Sequence, residues 1–469
     1  MTDLVYWNWI ASKSWLTPIV AAATESEVDV EAESGSLILA GVLLSLVIVY
    51  FASKLGGEIC ARIDLPPVLG ELVGGVLVGV SAFNLLVFPE SGCTADDSLI
   101  ISFLQQTAGL TPEATPHVFA SYSEVISLLS ELGVIILLFE IGLESDLKEL
   151  IRVGPQAAIV AVVGVVAPFA MGTAGLVYVF DVPVIPAIFA GAALTATSIG
   201  ITAKVLAEIG QLSSEEGQII IGAAVLDDIL GIVVLAVVAS LVKTGEIQIT
   251  NVVYLILSAG VFLIGSIVIG RLISPLIVGL VNEMKTRGQV LLTGLSFAFT
   301  LAYIANVIQL EAILGAFAAG LILAETDKRK ELEEQVIPVA DILVPVFFVC
   351  VGAKTDVGVL NPTIPSNREG LAIAAFLIVV AIIGKVITGF TLFGNGEINK
   401  LAIGVGMIPR GEVGLVFAGV GSASGALSEA TEAAIIVMVI VTTFVAPPFL
   451  RLVFKEPEEA KETPATTEN

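Results

Sequence analysis

Apolar runs of about 20 residues recur along this chain from residue 36 to residue 452, separated by short polar, glycine- or proline-containing links. Wound as a helix, a run of this length crosses the roughly 30 Å hydrocarbon core of a bilayer. Inside lipid every backbone polar group needs an internal partner, so only helices and closed barrels span; a barrel would show short alternating segments instead. The pattern predicts an all-α polytopic membrane protein. Composition agrees, with 56% of residues hydrophobic and 14% charged, against about a quarter charged in soluble domains.

Thirteen spans are expected, at about 36–62, 65–88, 124–143, 156–180, 183–209, 217–243, 251–281, 286–308, 310–325, 334–353, 369–394, 400–424 and 430–452. The seventh is long, with a bend expected near Pro275. Residues 1–35 read as an acidic external tail, 36–452 as the transmembrane domain, 89–123 as the one long loop and 453–469 as a disordered cytoplasmic tail. Of the 21 basic residues, fifteen fall in one set of alternate loops and four in the other. The positive-inside rule then places the N-terminus outside and the C-terminus in the cytoplasm. A net charge of −24 argues against a nucleic-acid partner. Cys60, Cys93 and Cys350 have no metal-binding or disulfide spacing, and His117 reads as a solvated loop residue.

An internal repeat is legible. The stretch "VLGELVGGVLV" at 68–78 opens the second span and "ILGAFAAGLIL" at 313–323 opens the ninth; "FEIGLESDL" at 139–147 closes the third and "VCVGAKTDV" at 349–357 closes the tenth. A shift of seven spans is odd, so the copies face opposite ways. Inverted repeats of this kind mark secondary transporters, with the site near mid-membrane where the repeats meet.

Three features bear chemistry. The stretch "AAVLDDILG" sets Asp227 and Asp228 near the middle of the sixth span, where each acid costs about 2.5–3.5 kcal/mol to insert. Adjacent helical residues point about 100° apart, so the two can serve different partners. "AIIGKVITGF" puts Lys385 inside the eleventh span. Pairing it with one aspartate leaves the other free to hold a small cation or a proton in turn; a purely structural ion pair is the alternative for Lys385. In the fifth span "GAALTATSIGIT" places Thr195, Thr197 and Ser198 at mid-depth, and in the twelfth "GVGMIPRGEVGL" places Pro409, Arg410, Gly411 and Glu412 there. Both segments are built to break, and unwound carbonyls at such depth are tolerated where they face protein or a watery cavity. Glu71, Glu140 and Asp341 read as structural or gating acids.

The segments "LTATSIGITAKVL", "AAVLDDILG", "FFVCVGAKTD" and "MIPRGEVGLVFA", in this order, resemble the cation:proton antiporter-2 family, and the paired acids are similar to those of its NapA-type sodium/proton antiporters. The resemblance covers most of 36–452. It implies an NhaA-like fold with two inverted five-helix repeats and two broken, crossing helices. Core helices would lie at about 156–243 and 369–452, dimer or scaffold helices at about 36–143 and 286–353, and a linker helix at about 251–281. It also implies a homodimer and an elevator mechanism. Carried over residue by residue, Asp228 would bind Na+ and the proton and Asp227 would pair with Lys385. Thr197 and Ser198 would line the site, and Arg410 and Glu412 would serve as structural or coupling charges. Electrogenic exchange, Li+ as a side substrate and a role in pH homeostasis and salt tolerance follow from the same likeness. A cyanobacterial character adds the thylakoid membrane to the plasma membrane as an expected location.

The expected function is therefore secondary active Na+/H+ exchange, with small inorganic cations, lipid and a second copy of the chain as partners, no cofactor and no catalytic residue. The potassium-efflux branch carries a glutamine before the ion-binding aspartate and a C-terminal nucleotide-binding domain; here Asp227 holds that position and no G-x-G-x-x-G motif follows a strand. K+/H+ exchange on the same fold and sodium-coupled symport of an organic anion are the alternatives. An intramembrane aspartyl protease is the remote one, since adjacent acids on one helix diverge where a shared-proton dyad must converge.

Overall fold

The computed structural model describes residues 17–244, 249–360, 365–392 and 398–454. Among these residues every regular element is helical. In chain order the α-helices are α1 Thr17–Arg62, α2 Pro67–Val78, α3 Leu99–Thr107, α4 Thr115–Glu144, α5 Leu147–Arg152, α6 Gly154–Val179, α7 Val184–Ala193, α8 Ile199–Glu208, α9 Glu215–Thr244, α10 Ile249–Glu283, α11 Gln289–Val307, α12 Ala312–Ala324, α13 Arg329–Ala353, α14 Pro365–Phe390, α15 Lys400–Gly406, α16 Glu412–Ala423 and α17 Glu429–Phe454. Among the described residues nine helices are long and apolar enough to cross a bilayer, and four shorter apolar helices lie at 67–78, 184–193, 312–324 and 413–422.

Local chemistry sets the boundaries. Proline at the first positions of α2 and α4 supplies the φ a helix needs and costs no N–H that would be used. Asp146 caps α5 by accepting from the Lys148 and Glu149 amides, and Asn399 caps α15 by accepting from Ala402. Pro275 lies within α10 without ending it.

The segment expected as a long loop, 89–123, is mostly ordered helix. It holds α3 and the first turns of α4, which begins at Thr115 rather than near 124. The physical reason is amphipathicity: Ile100, Ile101 and Leu104 bury one face of α3 against Val118, Phe119 and Tyr122 of α4. Ser98 caps α3 and meets the Tyr122 hydroxyl at 2.9 Å. His117 accordingly sits in the first turn of α4 and not in a loop, with its side chain exposed. The second span is shorter than expected, because α2 ends at Val78 and the chain turns through Gly79 to Phe88.

Two groups of helices pack internally. In one, α1, α2, α4, α11, α12 and α13 adjoin; in the other, α6, α7, α9, α14, α15, α16 and α17 do. Helix α10 lies against α9 and also against α11 and α12, and α8 touches α4, α9 and α17. Glycine crossings recur in the first group, and two of them form a matched pair. A Cβ on Gly75 of α2 would overlap the Val349 carbonyl of α13, and one on Gly352 would overlap the Leu72 carbonyl. In the same way Gly142 of α4 abuts the Phe317 carbonyl of α12, and Gly320 abuts that of Phe139. Small residues let helix backbones touch where the solvent outside is lipid.

Candidate functional site: two broken helices around a buried ion pair

The two segments rich in hydroxyls, glycine and proline interrupt their helices and meet. The first break spans Leu194–Ser198 between α7 and α8, the second Met407–Gly411 between α15 and α16. Thr195 Oγ1 donates to the Ala192 carbonyl at 2.8 Å, a local bond that competes with helix continuation. Pro409 has no N–H to continue its own helix, and its carbonyl accepts the Ser198 amide at 2.9 Å. Further bonds tie the strands of the crossing together. Arg410 Nη1 donates to the Ala196 carbonyl at 2.8 Å, Thr202 Oγ1 to the Gly406 carbonyl at 3.0 Å, and Thr443 Oγ1 to the Arg410 carbonyl at 2.6 Å. Each break thus finds partners for its backbone on the other, as irregular chain at this depth requires. The N-termini of α8 and α16 and the C-termini of α7 and α15 converge here, which supplies partial charges of both signs.

Beside the crossing, α9 presents its adjacent acids. Asp227 is fully buried, and its Oδ2 accepts from Lys385 Nζ at 2.7 Å and from Thr197 Oγ1 at 2.6 Å. Thr197 Oγ1 also lies 3.1 Å from the Met407 carbonyl. Lys385, equally buried, donates a second bond at 2.6 Å to the Thr195 carbonyl. Thr195 therefore serves the lysine with its backbone, not its hydroxyl. Gly164 of α6 leaves room for the ammonium: a Cβ there would stand 3.2 Å from Lys385 Nζ. A dry ion pair of this kind holds only with extra hydrogen bonds to both partners, and each has one.

Asp228 points elsewhere. It lines a narrow pocket of about 10 Å³ together with Thr197, Ser198, Glu311 and the backbone at Gly411. That is the scale of a single water-sized body. A second cavity of about 440 Å³ runs from the exposed Glu90 and Glu131, past Lys354, to Arg410, Gly411 and Thr443. Its walls are α4, α12 and α13 on one side and α16 and α17 on the other. Glu311, Ile313 and Gly411 line both spaces. At the wide end, Lys354 pairs with Glu90 at 2.6 Å and sits 4.8 Å above the Phe88 ring. Among the described residues no cluster of three or more His, Cys, Asp or Glu could hold a metal ion. A cation at Asp228 would draw on one carboxylate, hydroxyls and carbonyls.

The structure thus brings Asp227, Asp228, Thr195, Thr197, Ser198, Lys385, Pro409 and Arg410 to one place. The side chain of Glu412, at the first turn of α16, lies outside the described residues. Glu71 and Glu140 sit away from the crossing: Glu71 accepts from Ser53 of α1 at 2.9 Å. Sequence reasoning missed Gly164, Thr202, Thr443 and Glu311. A glutamate next to the wholly apolar α12 is the one signal that could have revealed Glu311.

Comparison with known proteins adds an independent line. Residues 36–456 match the family described as sodium/hydrogen exchanger, transmembrane. The chain is 73% identical over 454 residues, 96% of its own length and 98% of the relative's, to the high-affinity Na(+)/H(+) antiporter NhaS3 of Synechocystis sp.. It is 31% identical over 420 residues, 88% of its length and 97% of the relative's, to the Na(+)/H(+)-K(+) antiporter GerN of Bacillus cereus. The solved structure of the sodium proton antiporter MjNhaP1 from Methanocaldococcus jannaschii shares the fold, with a TM-score of 0.56 at 16% identity over 90% of this chain and 96% of that one. Apolar helices around a buried charge site, and a family match running nearly from end to end, converge: this integral membrane protein is a transporter rather than an enzyme, and it belongs to the sodium/hydrogen exchanger family.

Proposed function

We propose that the chain is a secondary active Na+/H+ antiporter in which Asp228 holds Na+ and a proton in alternation while Asp227 stays bound to Lys385. One observation carries the reading: the two neighbouring acids face different surroundings. Asp227 is held by a lysine and a threonine, whereas Asp228 faces a pocket sized for a single small body. One carboxylate that takes either ligand but not both couples their movements. The pocket's size speaks against an organic anion, and family membership against a protease.

The finer expectations belong to the same proposal. Nine long helices, the short α2 and α12, and the broken pairs α7–α8 and α15–α16 make thirteen crossings. The two glycine contacts exchange under the repeat, since Gly75 corresponds to Gly320 and Gly142 to Gly352, which supports an inverted arrangement of NhaA-like type. The group containing α6, α7, α9 and α14–α17 acts as the moving core of an elevator, and the group containing α1, α2, α4 and α11–α13 as the scaffold and homodimer face. The N-terminus is external, so the large cavity opens outside. The protein is of the NapA type in the cation:proton antiporter-2 family, accepts Li+, and resides in the plasma membrane or in a thylakoid membrane.

K+ is the second reading, favoured by the likeness to GerN, a Na(+)/H(+)-K(+) antiporter. Purified protein in liposomes with an imposed pH gradient separates the two. Added Na+ moves protons in the wild type and not in Asp228→Asn; a response to K+ alone would change the substrate and keep the mechanism. Na+-driven proton movement surviving in Asp228→Asn would overturn the assignment.

A further inference from the structure

The route from the large cavity to Asp228 passes one acidic residue that the exchange chemistry does not need. Glu311 lines both the wide cavity and the narrow pocket, so it stands at their junction. The other residues common to both are Ile313 and Gly411, which offer a cation no side-chain oxygen. Glu311 precedes α12, whose residues 313–323 are apolar and buried throughout. It does not cap that helix with its side chain, so its presence there is not explained by helix termination. Helix α12 has only 13 residues, about 20 Å of rise. The short helix lets its first turn reach the pocket instead of a membrane surface.

We propose that Glu311 is a cation-capturing residue: a carboxylate on the scaffold that draws small monovalent cations out of the wide cavity and passes them to Asp228. This rests on the antiport reading above. A carboxylate between low-dielectric walls attracts a cation more strongly than one in water. The consequence is asymmetric. Glu311 belongs to the group of α12, and Asp228 to the group of α9. If the site moves with α9, it leaves Glu311 behind when it faces the other side. Glu311 then assists binding from the cavity side only.

The test uses full-length protein in right-side-out and everted membrane vesicles from cells lacking other sodium/proton antiporters, with Na+ dependence of exchange measured from each face. Glu311→Gln is expected to raise the apparent KM for Na+ about three- to tenfold from the outer face, leave the inner-face KM unchanged, and keep the maximal rate. Glu311→Ser removes the charge with a residue favoured before a helix and carries the same expectation, which guards against misfolding of the first variant. Glu311→Asp should recover most of the outer-face affinity. An unchanged outer-face KM, or equal shifts on both faces, overturns the proposal while the antiport reading stands. Wild-type vesicles that move no protons with Na+ from either face overturn both.

Discussion

The glycine crossings of α2 with α13 and α4 with α12 and the crossing of the two broken helices lie in the same bundle and solve opposite problems. At the glycine crossings the backbone bonds stay within each helix, and the gain is van der Waals contact between bare backbones. At the broken crossing helical bonds are given up, and the orphaned groups are satisfied from the other break and from Arg410, Thr202 and Thr443. The difference teaches where motion and chemistry can reside. A crossing made only of packed backbone offers nothing to an ion and resists sliding. One made of carbonyls, hydroxyls and charges offers ligands, and its buried ion pair holds only while Asp227 and Lys385 keep each other.

That contrast can be pressed at several points. The largest effect is expected from Lys385→Ala, which leaves Asp227 buried without its counter-charge and should cost about 3–5 kcal/mol. Thermal melting in detergent would show it as a clear drop in Tm, with Asp227→Asn/Lys385→Ala recovering part of the loss. No drop would mean that the pair contributes nothing to holding the crossing. Next comes Thr197→Val, which keeps shape and removes a hydrogen bond to a buried carboxylate, at about 1.5–3 kcal/mol. It should also alter Na+ affinity, because Thr197 lines the Asp228 pocket.

On the other side of the comparison, Gly320→Ala forces a methyl against the Phe139 carbonyl and should cost about 1–3 kcal/mol. Its apparent Na+ affinity should stay at the wild-type value. A shift there, without loss of stability, would break the division between packed and chemical crossings. The smallest effect is expected from Thr443→Val, which removes one neutral hydrogen bond to the second break, at about 0.5–1.5 kcal/mol, again read by melting.

Much of this was legible in the chain. Two acids and a lysine inside apolar runs stand out because lipid makes each costly, and the clusters around Thr197 and Pro409 carry the residue types that end helices. The positions that escaped notice depend on three-dimensional meetings. Gly164 looks like any small residue of a membrane helix until the lysine head is seen beside it. Thr443 reads as an ordinary hydroxyl bonded within its own helix until the Arg410 carbonyl is seen to accept from it. Glu311 falls at the very start of the expected ninth span, where an acid reads as an ordinary helix-end residue, and only the shortness of α12 brings it to the pocket. The helical content of 89–123 escaped because its apolar face is brief and broken by polar residues, and it is completed by packing against α4.

The central claim is that one carboxylate, Asp228, takes Na+ and the proton in turn. It is tested most directly by the Na+ dependence of exchange in liposomes across a range of pH. Competition predicts that the apparent KM for Na+ rises about tenfold per pH unit once the site is mostly protonated, with the maximal rate recovered at saturating Na+. An apparent KM that stays flat as pH falls, while the rate declines, would place the proton on a different group and contradict the account.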